Sequence, residues 1–208
     1  LCRMARSRSV LSIVDGAQSF GVLAVNLLEM RPDFYSGSAH KWPCGPKEIG
    51  VLFINSEVHD RISPSVVSLY AGAVGISRTM EAFGQRDEAA LASLGAAVKF
   101  QDEIGRAAIE KRVRQLAERL SSQLGQTDGV TLWTNPDPAH SAAIIVFKPG
   151  ALDPRRLVAA LYEKDRIVVA ASGGAARPGV RMSPHFYNTM DDIDRSLAAI
   201  RKYLATGV

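Results

Sequence analysis

The sequence is short of cysteine, of long apolar runs and of charge of one sign. Its two cysteines, Cys2 and Cys44, offer neither a metal-ligand spacing nor a disulfide framework. Such sparing use fits a reducing compartment, so a cytoplasmic location is expected. No apolar stretch approaches the roughly 20 residues that a membrane-spanning helix needs, which argues against a membrane protein. The first eight residues carry Arg3, Arg6 and Arg8 but no apolar signal core. The chain does not begin with Met, as expected of a fragment or a processed product. Net charge is only +4, and the basic residues are scattered among acids. The densest run, Lys111-Arg112-Val113-Arg114, shares its helical stretch with Glu110 and Glu118. That pattern reads as a solvated helix face, and no nucleic-acid partner is expected.

What is present is an ordinary globular composition, 47% hydrophobic and 22% charged, over 208 residues. That length suits one domain or one and a half, with a core of useful size. The stretch 9–14, Ser-Val-Leu-Ser-Ile-Val, is β-branched and apolar, as expected of a buried strand in a largely parallel sheet. Further strands are expected at 33–36 and 49–55, with a stiff Pro- and Gly-containing loop over 42–48 between them. Residues 56–85 are less regular, and Gly72, Gly75 and Gly84 point to loops.

From Arg86 the pattern turns helical. Ile109, Val113, Leu116, Leu120 and Leu124 recur at spacings of three and four and define one helical face. Gly105 marks a break in the helical stretch. Beyond about residue 126 the pattern alternates. Strands are expected at 130–133, 142–147, 167–171 and 180–183. One helix is capped by Asp153, and a last helix is opened by Thr189 and Asp192. The glycine-containing segment 172–179 reads as a mobile loop.

Chemistry-bearing residues gather in two segments. Asp15-Gly16-Ala17-Gln18 follows the first strand, and Ser38-Ala39-His40-Lys41-Trp42-Pro43 follows the second. In open α/β sheets, ligands collect at the carboxyl ends of strands, which is where Asp15 falls. A lysine amine attacks an aldehyde or ketone when deprotonated, a state favoured by burial and nearby positive charge. Lys41 lies between His40 and Trp42 in a turn-rich, apolar setting. An acid facing a pyridine nitrogen keeps it protonated, so that the ring can accept electrons from an adjacent carbanion. Asp15 suits that task. Ser38 and His40 can donate to a phosphate held in a turn, and Gln18 to a phenolic oxygen. Taken singly, each of these residues has an ordinary explanation as a turn, a cap or a solvated side chain. Trp42 and Tyr35 read as packing residues, Cys44 as a small packing residue and His185 as a loop hydrogen-bonder. Order and spacing together favour a site.

Asp15-Gly16-Ala17-Gln18 followed by Ser38-Ala39-His40-Lys41 resembles the pyridoxal-phosphate site of class V aminotransferase-fold enzymes. These include cysteine desulfurases, isopenicillin N epimerase-like proteins and carbon–sulfur lyases. Gly45-Pro46-Lys47 before Gly50-Val51-Leu52-Phe53 resembles their next strand. Val180-Arg181-Met182-Ser183-Pro184-His185-Phe186-Tyr187-Asn188-Thr189 resembles their substrate-carboxylate segment.

The resemblance implies an α/β fold. Residues 1–100 would be part of a fold type I large domain, a mostly parallel sheet with helices. Residues 101–208 would be a linking helix and a smaller C-terminal α+β domain. It implies pyridoxal 5'-phosphate held by Asp15, Gln18, Ser38, His40 and Lys41. Lys41 would form the internal aldimine, a Schiff base, and later move protons. Arg181 would clamp the substrate carboxylate, where a planar bidentate donor outperforms lysine. It further implies a homodimer acting on a small amino acid as lyase, epimerase or aminotransferase. The family's usual N-terminal half, with its phosphate loop and ring-stacking residue, is absent from this sequence. The alternative expectation is therefore a truncated, non-catalytic relative kept for packing or partner binding. Residues 45–208 contain no cysteine, which disfavours a persulfide mechanism through a loop cysteine and favours the epimerase-like and lyase branch.

Overall fold

The computed structural model describes every residue except 68–74, 82, 83 and 175, and at 78 the backbone only. Gly72, expected in a loop, lies outside the described residues. The chain separates into two compact units, Leu1–Ala107 and Ala108–Val208.

The first unit is built on a three-stranded sheet in the order β1-β2-β3: β1 (Ile13–Asp15), β2 (Phe34–Ser38) and β3 (Gly50–Ile54). β1 and β2 run parallel, with Asp15 beside Ser36, while β3 returns antiparallel with Ser38 beside Gly50. The largely parallel sheet expected from sequence is thus represented here by one parallel pair. The antiparallel return follows from the loop between β2 and β3, which is too short for a crossover helix. Around the sheet lie α1 (Cys2–Arg6), α2 (Leu27–Met30), a 3₁₀ turn (Ser56–Arg61), α3 (Gly75–Glu81) and α4 (Glu88–Ile104).

The strand expected to be buried is an edge strand, and Ile13 is 78% exposed. With a neighbour on one side only, its apolar residues have little to pack against. Asp33 anchors it instead. This carboxylate is 5% exposed and accepts from the Ser12 backbone N–H at 2.7 Å and the Ser12 hydroxyl at 2.8 Å. Those bonds hold its pKa below the usual carboxylate range, the backbone donor contributing most. Asp33 therefore sits at the start of β2, at the opposite end of the strand from Ser38, and works as a structural acid.

The second unit begins within α5 (Arg106–Gly125). Gly105 sets α5 off from α4 with φ of 91°, a left-handed conformation that favours glycine. The second sheet is antiparallel throughout, in the order β4-β5-β7-β6: β4 (Val130–Leu132), β5 (Ile145–Pro149), β6 (Ala170–Ser172) and β7 (Gly179–Met182). α6 (Pro154–Asp165) and α7 (Met190–Thr206) complete it.

The core of this unit joins Leu116, Leu120 and Leu124 of α5 with Phe147, Leu157, Leu161, Val180, Leu197 and Ile200. Each such side chain contributes about 1.5–3 kcal/mol on burial. The periodic face read from sequence is the buried face of α5. Asp153 caps α6 by accepting from the N–H groups of Arg155 and Arg156, and Thr189 with Asp192 forms a reciprocal capping box on α7. The strand expected at 167–171 forms only over β6, because β7 offers ladder partners to residues 170–172 and none to 167–169. Val168 accordingly is 80% exposed. Among the described residues no helix is long and apolar enough to cross a membrane.

Candidate active site

The parallel pairing of β1 with β2 brings Asp15 and Ser38 to the same end of the sheet, at the carboxyl ends of both strands. Register places them on the same face. Asp15 lies beside Ser36, partners in a ladder point the same way, and Ser38 is two residues beyond Ser36. Tyr35 and Gly37 face the other way and are buried.

The two segments that leave these strand ends are tied together. The Gly16 backbone N–H donates to the Ser36 carbonyl at 2.7 Å, extending the ladder by one residue. Gly16 then lies flat against the Tyr35 ring. A Cβ there would meet the ring carbon Cζ at 2.1 Å, so only glycine fits. The Tyr35 hydroxyl lies 3.0 Å from Ser19 Oγ. Burial pushes the Tyr35 phenol above its ordinary pKa. The Ser19 bond opposes that shift, and the negative charge of Asp15 adds to it. Across the gap, the indole N–H of Trp42 donates to Gln18 Oε1 at 2.9 Å. Trp42 is buried, and its carbonyl accepts from Gln101 Nε2 of α4 at 2.7 Å.

Asp15 accepts from the Ala17 N–H with Oδ1, which leaves its Oδ2 without a partner among the described residues. Ser38 Oγ, the His40 ring and the Lys41 amine have no side-chain hydrogen-bond or ion-pair partner among the described residues either. Ala39 between them is fully buried, while His40 is exposed and Lys41 half-buried. One Asp15 oxygen, the Ser38 hydroxyl, the His40 imidazole and the Lys41 amine are therefore without partners among the described residues, on the two segments that meet at this sheet end, with the Gln18 amide on the first of them. That donor set suits a ligand carrying a basic ring nitrogen, a ring oxygen, an anionic group and an electrophilic carbonyl.

Two sequence expectations change here. Cys44 does not pack inward. The Cys44 N–H donates to the Lys41 carbonyl and the Gly45 N–H to the Ala39 carbonyl. Together these bonds fold a tight turn that sets Cys44 at φ of 61° with its side chain exposed. Trp42 packs as expected, but it also holds Gln18. That contact spans 24 residues, and no local pattern announces it.

In the second unit, Arg181 lies on β7 beside Val146 and Ala170. It is the exposed residue of a strand otherwise turned inward, and its guanidinium has no partner among the described residues. His185 is a loop hydrogen-bonder: its backbone N–H donates to Asn188 Oδ1, and its Nδ1 accepts from the Phe186 N–H. Its ring stacks on Tyr187 with centroids 4.3 Å apart. The glycine-containing segment 172–179 carries Arg177. The guanidinium carbon of Arg177 lies 4.8 Å from the centroid of the Trp133 ring.

Comparison with known proteins finds relatives in both sequence and structure. The chain is 30% identical over 217 residues to an isopenicillin N epimerase of Streptomyces clavuligerus, a match that covers 96% of this chain and 54% of that protein. The apo cysteine desulfurase of Thermococcus onnurineus NA1 superposes with a TM-score of 0.88 at 24% identity, over 98% of this chain and 55% of that one. A variant of C-DES with glycine covalently linked to its PLP cofactor superposes with a TM-score of 0.80 at 25% identity, over 92% of this chain and 51% of that one. The chain thus spans about half the length of the relatives it matches. The aminotransferase class-V family model matches residues 1–196, and the chain belongs to that family.

Proposed function

We propose that this chain carries the lysine-bearing part of a pyridoxal-phosphate enzyme acting on an amino acid. The observation that carries the reading is the set of unspent polar groups at one sheet end: the acid of Asp15, the hydroxyl of Ser38, the imidazole of His40 and the amine of Lys41. When bound, pyridoxal phosphate supplies an electron sink for negative charge at the substrate's α-carbon. Asp15 holds a proton at the ring nitrogen, which strengthens that sink. Gln18 donates to the ring oxygen, and Ser38 and His40 donate to the phosphate. Lys41 would hold the cofactor by its amine and, once the substrate's amine has displaced it, would carry a proton to or from the α-carbon. Arg181 binds the substrate carboxylate in a bidentate fork.

The reaction is that of a lyase, epimerase or aminotransferase. Similarity to an epimerase and to a C–S lyase, together with the lack of cysteine beyond Cys44, favours lysis or epimerisation. A cytoplasmic homodimer with shared sites completes the reading.

Titration with pyridoxal phosphate tests it. The whole protein, including the half that its relatives carry before this chain's match, is expected to develop a visible absorption band that Lys41→Ala removes. A protein without that band is instead a relative kept for packing or partner binding.

A further inference from the structure

The geometry points to Trp42 as a positioning residue, whose indole N–H turns the Gln18 amide so that its NH2 group faces the cofactor's ring oxygen. This inference rests on the cofactor reading above and extends it to a residue outside the binding set.

A primary amide has one accepting end and one donating end. An indole N–H only donates, so at 2.9 Å it must meet the oxygen of Gln18. With Oε1 engaged, Nε2 is the end left for a ligand, and Nε2 has no partner among the described residues. Without the indole, an exposed glutamine samples both amide orientations. The flipped one would set a lone pair against an acceptor oxygen of the ligand.

Trp42 can act as this fixed point because it is itself held. Its side chain is buried, and its carbonyl accepts from Gln101, a buried residue on α4 that is 59 positions away. Pro43 follows directly, is buried, and fixes its own φ. The restraint therefore runs from α4 through the backbone of the Lys41 loop to the amide of the Asp15 loop. The same contact ties the loop that carries Lys41 to the loop that carries Asp15.

Trp42→Phe keeps an aromatic ring, removes the donor and gives up part of the indole's buried bulk. It is expected to weaken pyridoxal-phosphate affinity by about two- to ten-fold, the value of one net hydrogen bond. It should also shift the visible band, since the ring oxygen loses an ordered donor. In the double variant with Gln18→Leu, the loss should equal that of Gln18→Leu alone. A cofactor-free readout accompanies these. In the ¹H–¹⁵N spectrum of the protein, Gln18→Leu should move the Trp42 indole resonance and leave that of Trp133, the other tryptophan, in place.

An unmoved Trp42 resonance overturns the proposal whether or not Trp42→Phe folds. So does a Trp42→Phe protein with wild-type affinity and band, or additive losses in the double variant; each of these leaves the cofactor reading intact. A wild-type protein that develops no band overturns both.

Discussion

Gly16 shows how tightly single residues set the site. Its backbone rests on the Tyr35 ring, with no space for a methyl group. Gly16→Ala must displace the ring or the Asp15 loop, at a cost of about 1–3 kcal/mol as in other overpacked sites. Denaturant unfolding should show that loss, and pyridoxal-phosphate affinity should fall with it because Asp15 is the adjacent residue. Much at this scale was legible in the sequence. Asp15, Ser38, His40 and Lys41 stand at or just after strand ends in a recognisable order, and one Asp15 oxygen and the other three polar groups have no partner among the described residues. What could not be read was pairing over distance. Nothing in the segment around Trp42 announces Gln18, and the acid in Asp33 looks as chemical as that in Asp15. Only the fold shows that Asp33 is spent on Ser12.

At the scale of elements, the two ends of β2 do different work. The upstream end is pinned by Asp33, and the downstream end carries Ser38 and leads into Lys41. Asp33→Asn is expected to lower stability by about 1–3 kcal/mol at neutral pH, as hydrogen bonds to a charged acceptor are lost. The folded-state pKa of Asp33 is depressed, so its contribution is fully present above the unfolded value of about 3.9 and disappears as pH falls through the folded one. Urea melts of wild type and variant should differ by a constant amount at neutral pH and converge below about pH 4.

On α7 the capping box predicts that Thr189→Ala costs about 1 kcal/mol, which thermal unfolding would register. Helices were the most legible elements, since the α5 face and the Asp153 and Thr189 caps carry strong local signals. Strands were less so. The 9–14 stretch has the composition of a buried strand, and in this chain β1 has a strand beside it on one side only. The 167–171 stretch opens with three β-branched residues, Ile167, Val168 and Val169, yet it pairs only from Ala170 on, where β7 provides a partner.

At the scale of the molecule, the family assignment and the α/β character agree with the sequence motifs, and the chain covers about half of its relatives' length. The proposed chemistry depends on one covalent attachment. Reduction with borohydride in the presence of pyridoxal phosphate, followed by peptide mass analysis, tests it most directly. The account predicts one reduced pyridoxyl group on the peptide containing Lys41, at stoichiometric yield and abolished by Lys41→Ala. Label absent from that peptide, or spread evenly over exposed lysines, would contradict it.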